Sequence, residues 1–347
     1  MSQHRPEAPQ GAWARFRSEN MDLIRLGGMA VLIFAVMAAL RPSLFLSSNN
    51  FVSMGFQFPE FAILTLAMMI SMLTGGIDLS IIGNMNLSAI LAGMVLASMT
   101  ADPTNPVGLP IALAVVIALA VGTAGGLVNG LLVAHVGIPP ILATLGTSQV
   151  FLGLAIVLTG GASVHGFPTA FSFIGNGKIL GLPVPVLVFA ALAIVVAVVL
   201  NKSAFGAKVY LLGANPLASR FAGLKNSGLL IGAYTLAGFL SGAAGILIMS
   251  RTNSIRADFG ASYLLLTILV AVLGGVNPYG GFGKVFGVIL AVLALQFLSS
   301  GFNMLRFSNF AREFIWGALL LVVMVMGTIR FPWRKRQVKK RDSSGLG

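Results

Sequence analysis

The sequence has no cysteine, only three histidines and few charged residues. Without cysteine, neither a disulfide nor a thiolate metal site can form. The histidines lie far apart in the chain and lack the spacing of metal ligands, so we predict no metal site; they are His4, His135 and His165. Charged residues make up 9% of the chain, whereas soluble domains carry about 25%. This shortage excludes an ordinary soluble fold of this size.

Motifs of common enzymes and nucleotide-binding proteins are also missing. A phosphate-binding loop has the pattern G-x-x-x-x-G-K-[ST], but before Lys284 the first glycine is replaced by Pro278, and Val285 follows the lysine. Neither the G-x-S-x-G turn of serine hydrolases nor the H-E-x-x-H pattern of zinc enzymes is present. We therefore predict no catalytic residues, no cofactor bound by this chain and no enzymatic activity.

The chain instead has long apolar runs. Hydrophobic residues make up 57% of it, and its mean hydropathy is +0.94. A membrane-spanning helix needs about 20 mainly apolar residues, and these runs are continuous rather than alternating as in a β-barrel. The sequence predicts an all-α polytopic membrane protein with about ten transmembrane helices, some of them discontinuous. The predicted spans are 23–40, 53–74, 79–99, 108–134, 139–160, 182–200, 228–249, 261–275, 283–302 and 309–328.

The basic residues are divided unevenly between the two sides that these spans create. The net charge is +13, and membrane proteins concentrate Lys and Arg on the cytoplasmic side. With both termini inside, 16 basic residues fall on the cytoplasmic side and 6 on the other. We therefore predict a cytoplasmic N-terminal tail at 1–22, a transmembrane domain at 23–328 with a cytoplasmic segment at 201–227, and a basic cytoplasmic C-terminal tail at 329–347.

Three acids fall at or near membrane depth. Burying a charge in a bilayer costs about 2.5–3.5 kcal/mol or more, so each acid is a candidate functional residue. We expect Glu60 and Glu313 to be interfacial, with Glu313 beside Arg312 as an ion pair. Asp78 lies between two apolar runs, and two interpretations stay open. It either caps the helix that starts near Ser80 or serves as a site of proton or sodium coupling.

Two stretches of the sequence resemble each other. Each has an apolar run, a Gly-Gly pair, a short polar break and another apolar run, and Asp78 aligns with Asn277. Repeated broken helices mark the substrate path in many transporters. The repeat therefore favours a transport function, with the breaks near the path.

Small residues recur at four-residue spacing in two spans, a pattern that lets helix backbones approach closely in lipid. We predict helix packing for both series, which are Gly122, Gly126 and Gly130 in one span, and Ala237, Ser241 and Gly245 in the other.

The cytoplasmic segment 204–224 has the signals of a short surface helix. Asn215 is placed as its N-cap, Pro216 as its first residue and Gly223 as its end. A positively charged connector would also fit the charge, but a connector needs no caps. The caps favour a docking helix for a cytoplasmic partner.

Four motifs, taken together, resemble the permeases of bacterial ribose-type sugar ABC importers. They are "GGIDLS" at 75–80, "GIPPILATLGT" at 137–147, "LLGANPLASRFAGL" at 211–224 and "AVLGGVNPYGGFGKVFGVILAV" at 271–292, and the resemblance runs from about residue 45 to 327. It departs at Ile81-Ile82-Gly83-Asn84, where the common pattern is Val-Gly-Ser, so the helix phase around Gly83 is uncertain.

The resemblance implies a division of labour among subunits. A periplasmic sugar-binding protein would deliver the solute, two permease subunits (two copies of one chain or two different chains) would form the path in the bacterial inner membrane, and a separate cytoplasmic subunit would bind ATP and Mg. It implies a contact with that ATPase at Gly213, Asn215, Ala218, Arg220 and Gly223. For the path and helix breaks it indicates Gly75, Gly76, Asp78, Ser80, Asn84, Thr144, Thr147, Asn277 and Tyr279.

The sequence thus supports two hypotheses of different class. The first is the permease subunit of an ABC importer for a monosaccharide or related polyol. The segment "ADFGASYLL" at 257–265 resembles permeases for less common cargo, such as autoinducer-2, deoxysugars or sugar alcohols. The second is a secondary, ion-coupled transporter of small solutes that uses Asp78.

Overall fold

The computed structural model describes residues 21–102, 104 and 106–328. The predicted tails at 1–22 and 329–347 lie outside these residues, except for the first two residues of the first helix. In the described part, the helices are α1 (Met21–Leu40), α2 (Pro42–Phe45), α3 (Ser48–Leu73), α4 (Ile81–Met99), α5 (Gly108–Leu131, continued by a π turn, Leu132–Val136), α6 (Pro140–Thr159), α7 (Thr169–Asn176), α8 (Val184–Lys202), α9 (Ala204–Ala214), α10 (Pro216–Phe221), α11 (Asn226–Thr252), α12 (Tyr263–Leu273), α13 (Val285–Met304) and α14 (Asn309–Thr328).

Two very short antiparallel ribbons, which the sequence did not predict, join loops between the helices. In one, β1 (Val164–His165) pairs with β4 (Ser254–Ile255); in the other, β2 (Lys178–Ile179) pairs with β3 (Leu182–Pro183). Each strand has two residues. The prediction of an all-α membrane protein is therefore confirmed.

All ten predicted spans fall on helices. Eight of the described helices are long and apolar enough to cross a membrane, namely α1, α3, α4, α5, α6, α8, α11 and α13. The second span starts five residues before its predicted position at 53, because the Ser47 hydroxyl oxygen caps it by accepting a hydrogen bond from Asn50 N–H at 3.3 Å.

Three helices, α3, α4 and α11, form the centre of the fold. Most residues of their apolar stretches are buried inside the chain, whereas in α1, α5 and α6 less than a third are buried. A helix that is hydrophobic all round is buried, and α3 meets this rule because every residue from Phe58 to Leu73 is buried. The lipid-facing surface therefore belongs to the outer helices.

The packing of α5 against α11 confirms the role predicted for the first glycine series. A Cβ at Gly122 would meet the Gly238 carbonyl at 2.6 Å and the Gly242 backbone at 2.8 Å, and a Cβ at Gly130 would meet Ile231 Cα at 2.7 Å. The second predicted series differs, because the glycines of α11 that face α5 are not members of it. Glycines 238 and 242 face α5, whereas Gly245 faces Met85 of α4.

Helix α12 is the discontinuous span. It has 11 residues, which gives a length of about 16 Å, about half the thickness of the hydrocarbon core. Residues 256–262, before α12, and 274–284, after it, are non-helical. Polar backbone at membrane depth is tolerated only where protein or a water-filled cavity satisfies it.

The close contact of α5 and α11 leads to a prediction about stability. Gly126→Ala would place a methyl group against the Tyr234 carbonyl oxygen and 2.9 Å from Gly238 Cα. Because both neighbours are backbone, we expect a loss of about 1–3 kcal/mol, as for overpacked cores, seen as a lower thermal unfolding midpoint in detergent.

The matched control is Gly28→Ala in α1, where an added Cβ meets no heavy atom within 4 Å. Its midpoint should stay the same or rise slightly, since Ala favours a helix over Gly by about 1 kcal/mol. Equal midpoints for the two variants would contradict the packing role of Gly126.

Candidate functional site

The two repeated stretches end their first helices in the same way. After α3, Gly75 takes a φ of 85°, and after α12, Gly275 takes a φ of 83°. In each case the next N–H returns to a carbonyl five residues back, from Gly76 to Ser71 at 3.4 Å and from Val276 to Ala271 at 3.0 Å. Both ends are Schellman caps, which need a left-handed residue and favour glycine.

The polar residues that follow also form the same local turn. Asp78 Oδ1 accepts a hydrogen bond from Ser80 N–H at 2.9 Å, and Asn277 Oδ1 accepts one from Tyr279 N–H at 3.0 Å. This confirms the predicted alignment of Asp78 with Asn277. The two Gly-Gly pairs also align in sequence, but the capping residue is the first glycine of the pair in one copy, Gly75, and the second in the other, Gly275.

Asp78 caps a turn rather than the helix itself. Helix α4 starts at Ile81, with Ser80 as its N-cap residue, and both bonds to Asp78 come from Ser80, the second from its hydroxyl at 2.7 Å. The prediction that Asp78 satisfies the first free N–H groups of the helix is therefore wrong in detail. The carboxylate stabilises the turn that leads into the helix.

A buried chain of hydrogen bonds links this turn to α5 and α6. Thr147 Oγ1 donates to Asn129 Oδ1 at 2.6 Å, Asn129 Nδ2 donates to Ser80 Oγ at 2.6 Å, and Ser80 Oγ donates to Asp78. Thr144 Oγ1 accepts from Leu79 N–H at 3.0 Å. We call Asp78, Ser80, Asn129, Thr144 and Thr147 the inner polar cluster; each is buried.

The inner polar cluster brings four of the predicted path residues together, and it contains one that the sequence analysis missed. Asn129 was not identified, although a lone amide in an apolar span is a signal, because such a group needs a partner in lipid. Since every member of the cluster is buried within the chain, no solute reaches it in this conformation.

The other predicted path residues lie elsewhere. Asn84 Nδ2 donates to the Gly122 carbonyl at 2.9 Å, so Asn84 joins α4 to α5 rather than lining a path. Tyr279 is 87% exposed, on the connection between α12 and α13. Gly76 is needed because an added Cβ would collide with the Tyr234 hydroxyl and with Pro140.

The predicted docking helix is present as α10. Asn215 Oδ1 accepts from Leu217 N–H at 3.1 Å and from Ala218 N–H at 2.9 Å, and Pro216 is the first helical residue. Gly223 takes a φ of 78° just after the helix. The cap predictions for Asn215, Pro216 and Gly223 are therefore confirmed.

The free face of α10 combines apolar and basic side chains. Leu217 is 64% exposed and Phe221 84%, and Arg220 beside them is also exposed. The opposite face is held to α11, because Ser219 Oγ donates to Asn226 Oδ1 at 2.8 Å and Asn226 Nδ2 donates to the Pro216 carbonyl at 2.9 Å. The sequence analysis did not identify Leu217 and Phe221, which share one helix face at i and i+4.

A backbone junction connects the docking segment to both repeated turns. Gly281 N–H donates to the Leu73 carbonyl at 3.0 Å. A Cβ at Gly213, near the end of α9, would collide with that same carbonyl and lie 2.5 Å from Gly281 N. A Cβ at Gly280 would lie 2.8 Å from Gly75 N. We call this contact the glycine junction, and its position defines the inner end of the bundle.

At the other end of the bundle, an ion pair is buried. Arg251 donates to both oxygens of Glu60, from Nε at 2.9 Å and from Nη2 at 2.8 Å, and Tyr263 Oη donates to Glu60 Oε1 at 2.8 Å. Glu60 is 2% exposed, so its carboxylate is buried within the chain rather than open to solvent. Glu60 can be buried because two side chains that are distant in sequence, Arg251 on α11 and Tyr263 on α12, donate hydrogen bonds to it.

A separate hydrogen bond joins α14 to α13, in which Arg312 Nη1 donates to Asn303 Oδ1 at 2.5 Å.

Comparisons with known proteins identify relatives over most of the chain. Residues 50–324 match the protein family described as "Branched-chain amino acid transport system / permease component". The ribose import permease protein RbsC of Bacillus subtilis (strain 168) is 35% identical over 302 residues, which cover 86% of this chain and 90% of that protein.

Two further relatives are named for a different solute. The autoinducer 2 import system permease protein LsrD of Enterobacter sp. (strain 638) is 34% identical over 290 residues, covering 82% of this chain and 84% of that protein. Its namesake in Escherichia coli (strain K12) is 31% identical over 329 residues, covering 91% and 94%. No solved structure matches the chain.

The local role of Asp78 gives a second prediction. In Asp78→Asn an amide oxygen still accepts from Ser80 N–H, so we expect a change in unfolding free energy within about 1 kcal/mol. In Asp78→Leu the buried N–H and hydroxyl of Ser80 lose their acceptor, which costs about 1–3 kcal/mol. Thermal unfolding of the purified chain in detergent measures both changes.

Asp102 provides a matched control, because its Oδ1 accepts from Thr104 N–H at 2.9 Å and Thr104 Oγ1 at 2.7 Å in an exposed turn of the same type. Water replaces that acceptor, so Asp102→Leu should cost less than Asp78→Leu. An equal cost for the two leucine variants would show that burial of the Asp78 turn is not what stabilises it.

Proposed function

Since this chain belongs to the permease component family of branched-chain amino acid transport systems, we propose that it forms the translocation path for a monosaccharide or a related polyol. It is a multi-pass permease subunit of an ABC importer. The relatives named for ribose and for autoinducer 2 support a small polar solute as the cargo, with ribose-type sugars as the first class to test.

The observation that carries the proposal is the continuity between docking helix and glycine junction. Helix α10 presents Leu217, Arg220 and Phe221 outward, and Gly213 in the preceding helix touches the backbone of both repeated turns. A subunit that moves α10 therefore acts on the inner ends of α3 and α12 by direct contact. A plain connector would need neither the caps nor this junction.

The proposal includes partners in the bacterial inner membrane and on both sides of it. A cytoplasmic subunit binds ATP and Mg and docks on α10, so that this chain itself holds no nucleotide and catalyses no reaction. A periplasmic binding protein delivers the solute, and a second permease subunit completes the path. The exposed apolar and basic face of α10 suits a partner surface with an apolar pocket and acidic groups.

The ion-coupled alternative has less support. Its candidate, Asp78, accepts hydrogen bonds from the N–H and the hydroxyl of Ser80 within its own turn, and the second repeat carries the uncharged Asn277 at the same place. The relatives found are importer permeases, which favours the ABC function.

Uptake in reconstituted liposomes tests the proposed function. Vesicles that contain this chain, its binding protein and its ATPase should accumulate labelled monosaccharides, tested from D-ribose onward, only when ATP and the ATPase are present. Uptake that persists without the ATPase and collapses with a protonophore would contradict the proposal and favour ion coupling.

A charge reversal tests the docking face. Arg220→Glu should weaken co-purification of the ATPase and lower ATP-dependent uptake about tenfold or more, as expected when one partner of an interfacial charge pair is lost. The unfolding midpoint should not change, because Arg220 is exposed.

Lys178→Glu is the control, since Lys178 is exposed in the β2–β3 ribbon, remote in sequence from α10. This variant should keep both association and uptake. Normal association of Arg220→Glu with the ATPase would show that α10 is not the docking site.

A further inference from the structure

A cavity of about 360 Å³ lies beside the short helix α12. It is bounded by the first half of α3, the start of α12, the second half of α13 and the start of α14. Ser300 Oγ of α13 donates to Asn50 Oδ1 of α3 at 2.7 Å, which places this end opposite the glycine junction. The cavity therefore lies in the outer half of the bundle, where α12 is too short to fill the space.

The lining of this outer cavity is polar on one face of α13. Gln296, Ser299 and Asn303 line it at positions i, i+3 and i+7, which share one helix face. Ser262, just before α12, adds a hydroxyl, and Gln57 of α3 adds an amide. In a span that otherwise carries apolar residues, a polar stripe of this kind indicates contact with a polar solute.

Gln296 is the most informative of these side chains. It is 3% exposed and lines the cavity from α13. An amide carries two N–H donors and an oxygen acceptor. It is therefore suited to a solute hydroxyl, which also donates and accepts.

The cavity has balanced charge and an aromatic wall. Arg312 and Glu313 supply one charge of each sign, and Arg312 is partly engaged by Asn303. Trp316 and Phe61 supply ring surfaces, which bind apolar C–H faces while the indole N–H remains a donor. A phosphorylated solute would need an excess of cationic donors, which this lining does not supply.

We propose that the outer cavity is a binding site for a neutral polyhydroxylated solute, held by Gln296, Gln57 and Trp316 on its way through the permease. This inference rests on the proposed function and adds the class of solute and its place in the chain. Tyr263 positions the wall of the cavity that it lines. Its hydroxyl donates to Glu60, which Arg251 holds in turn.

Fluorescence of Trp316 gives a direct test, because the sequence has only three tryptophans. In the full chain with Trp13→Phe and Trp333→Phe, Trp316 is the remaining reporter. Titration of this purified chain with D-ribose and with ribitol should give a saturable change in emission. Ribose 5-phosphate should bind at least about tenfold more weakly, a difference of about 1.4 kcal/mol.

Variants in the same background locate the signal. Gln296→Leu keeps the side-chain size and should weaken D-ribose binding about tenfold or more. Gln57→Leu, at an exposed position where folding is not at risk, should weaken it severalfold. Gln149→Leu is the matched control on α6, exposed and outside the lining, and it should leave binding unchanged.

The proposal is overturned if neither neutral probe gives a saturable change, if Gln57→Leu binds D-ribose as the unmodified background does, or if ribose 5-phosphate binds more tightly than D-ribose. Uptake by the same background chain with its partners separates the two claims. Active uptake without a Trp316 signal refutes the cavity alone, whereas binding without ATP-dependent uptake of any sugar refutes the proposed function alone.

Discussion

The structure depends on one constraint, which is that backbone polar groups in a bilayer must find their partners within the protein. Helices meet it by themselves, but the two repeated turns do not. Their orphan carbonyls and N–H groups are satisfied by Schellman caps at Gly75 and Gly275 and by the bond from Gly281 N–H to the Leu73 carbonyl. Glycine is required at the junction because any Cβ at Gly213 would displace that carbonyl.

The same constraint explains the inner polar cluster. Each buried side-chain group in it has a partner, from Thr147 through Asn129 and Ser80 to Asp78. A buried hydrogen-bond network of this kind is rigid, because each broken bond would leave an unpaired polar group. The cluster thus holds the starts of α4 and α6 to the end of α5, while the glycine junction, beside it, contacts α9, which leads into α10. A displacement of α10 would therefore act beside a rigid part of the structure, the inner polar cluster.

The two ends of the bundle differ in how they treat polar groups. At the inner end the members of the inner polar cluster are buried and hydrogen-bonded to one another. At the outer end, α12 begins only after the non-helical segment 256–262, and the space beside it is lined by amides and hydroxyls. The buried pair of Glu60 and Arg251, completed by Tyr263, fixes the start of α12. A buried pair of this kind costs desolvation and is retained where it specifies one arrangement.

The sequence by itself determined the membrane class, the positions of the helices that the ten predicted spans fall on, and the caps of α10, because these follow from apolar runs and from local residue preferences. It also indicated that Asp78 and Asn277 are equivalent. Only the tertiary structure decided which polar residues meet, since Asn129 with Ser80, Glu60 with Arg251 and the face of Gln296 all depend on contacts between distant segments. Local patterns carry no information about such pairings, because the geometry that makes them is set by how the helices pack against one another.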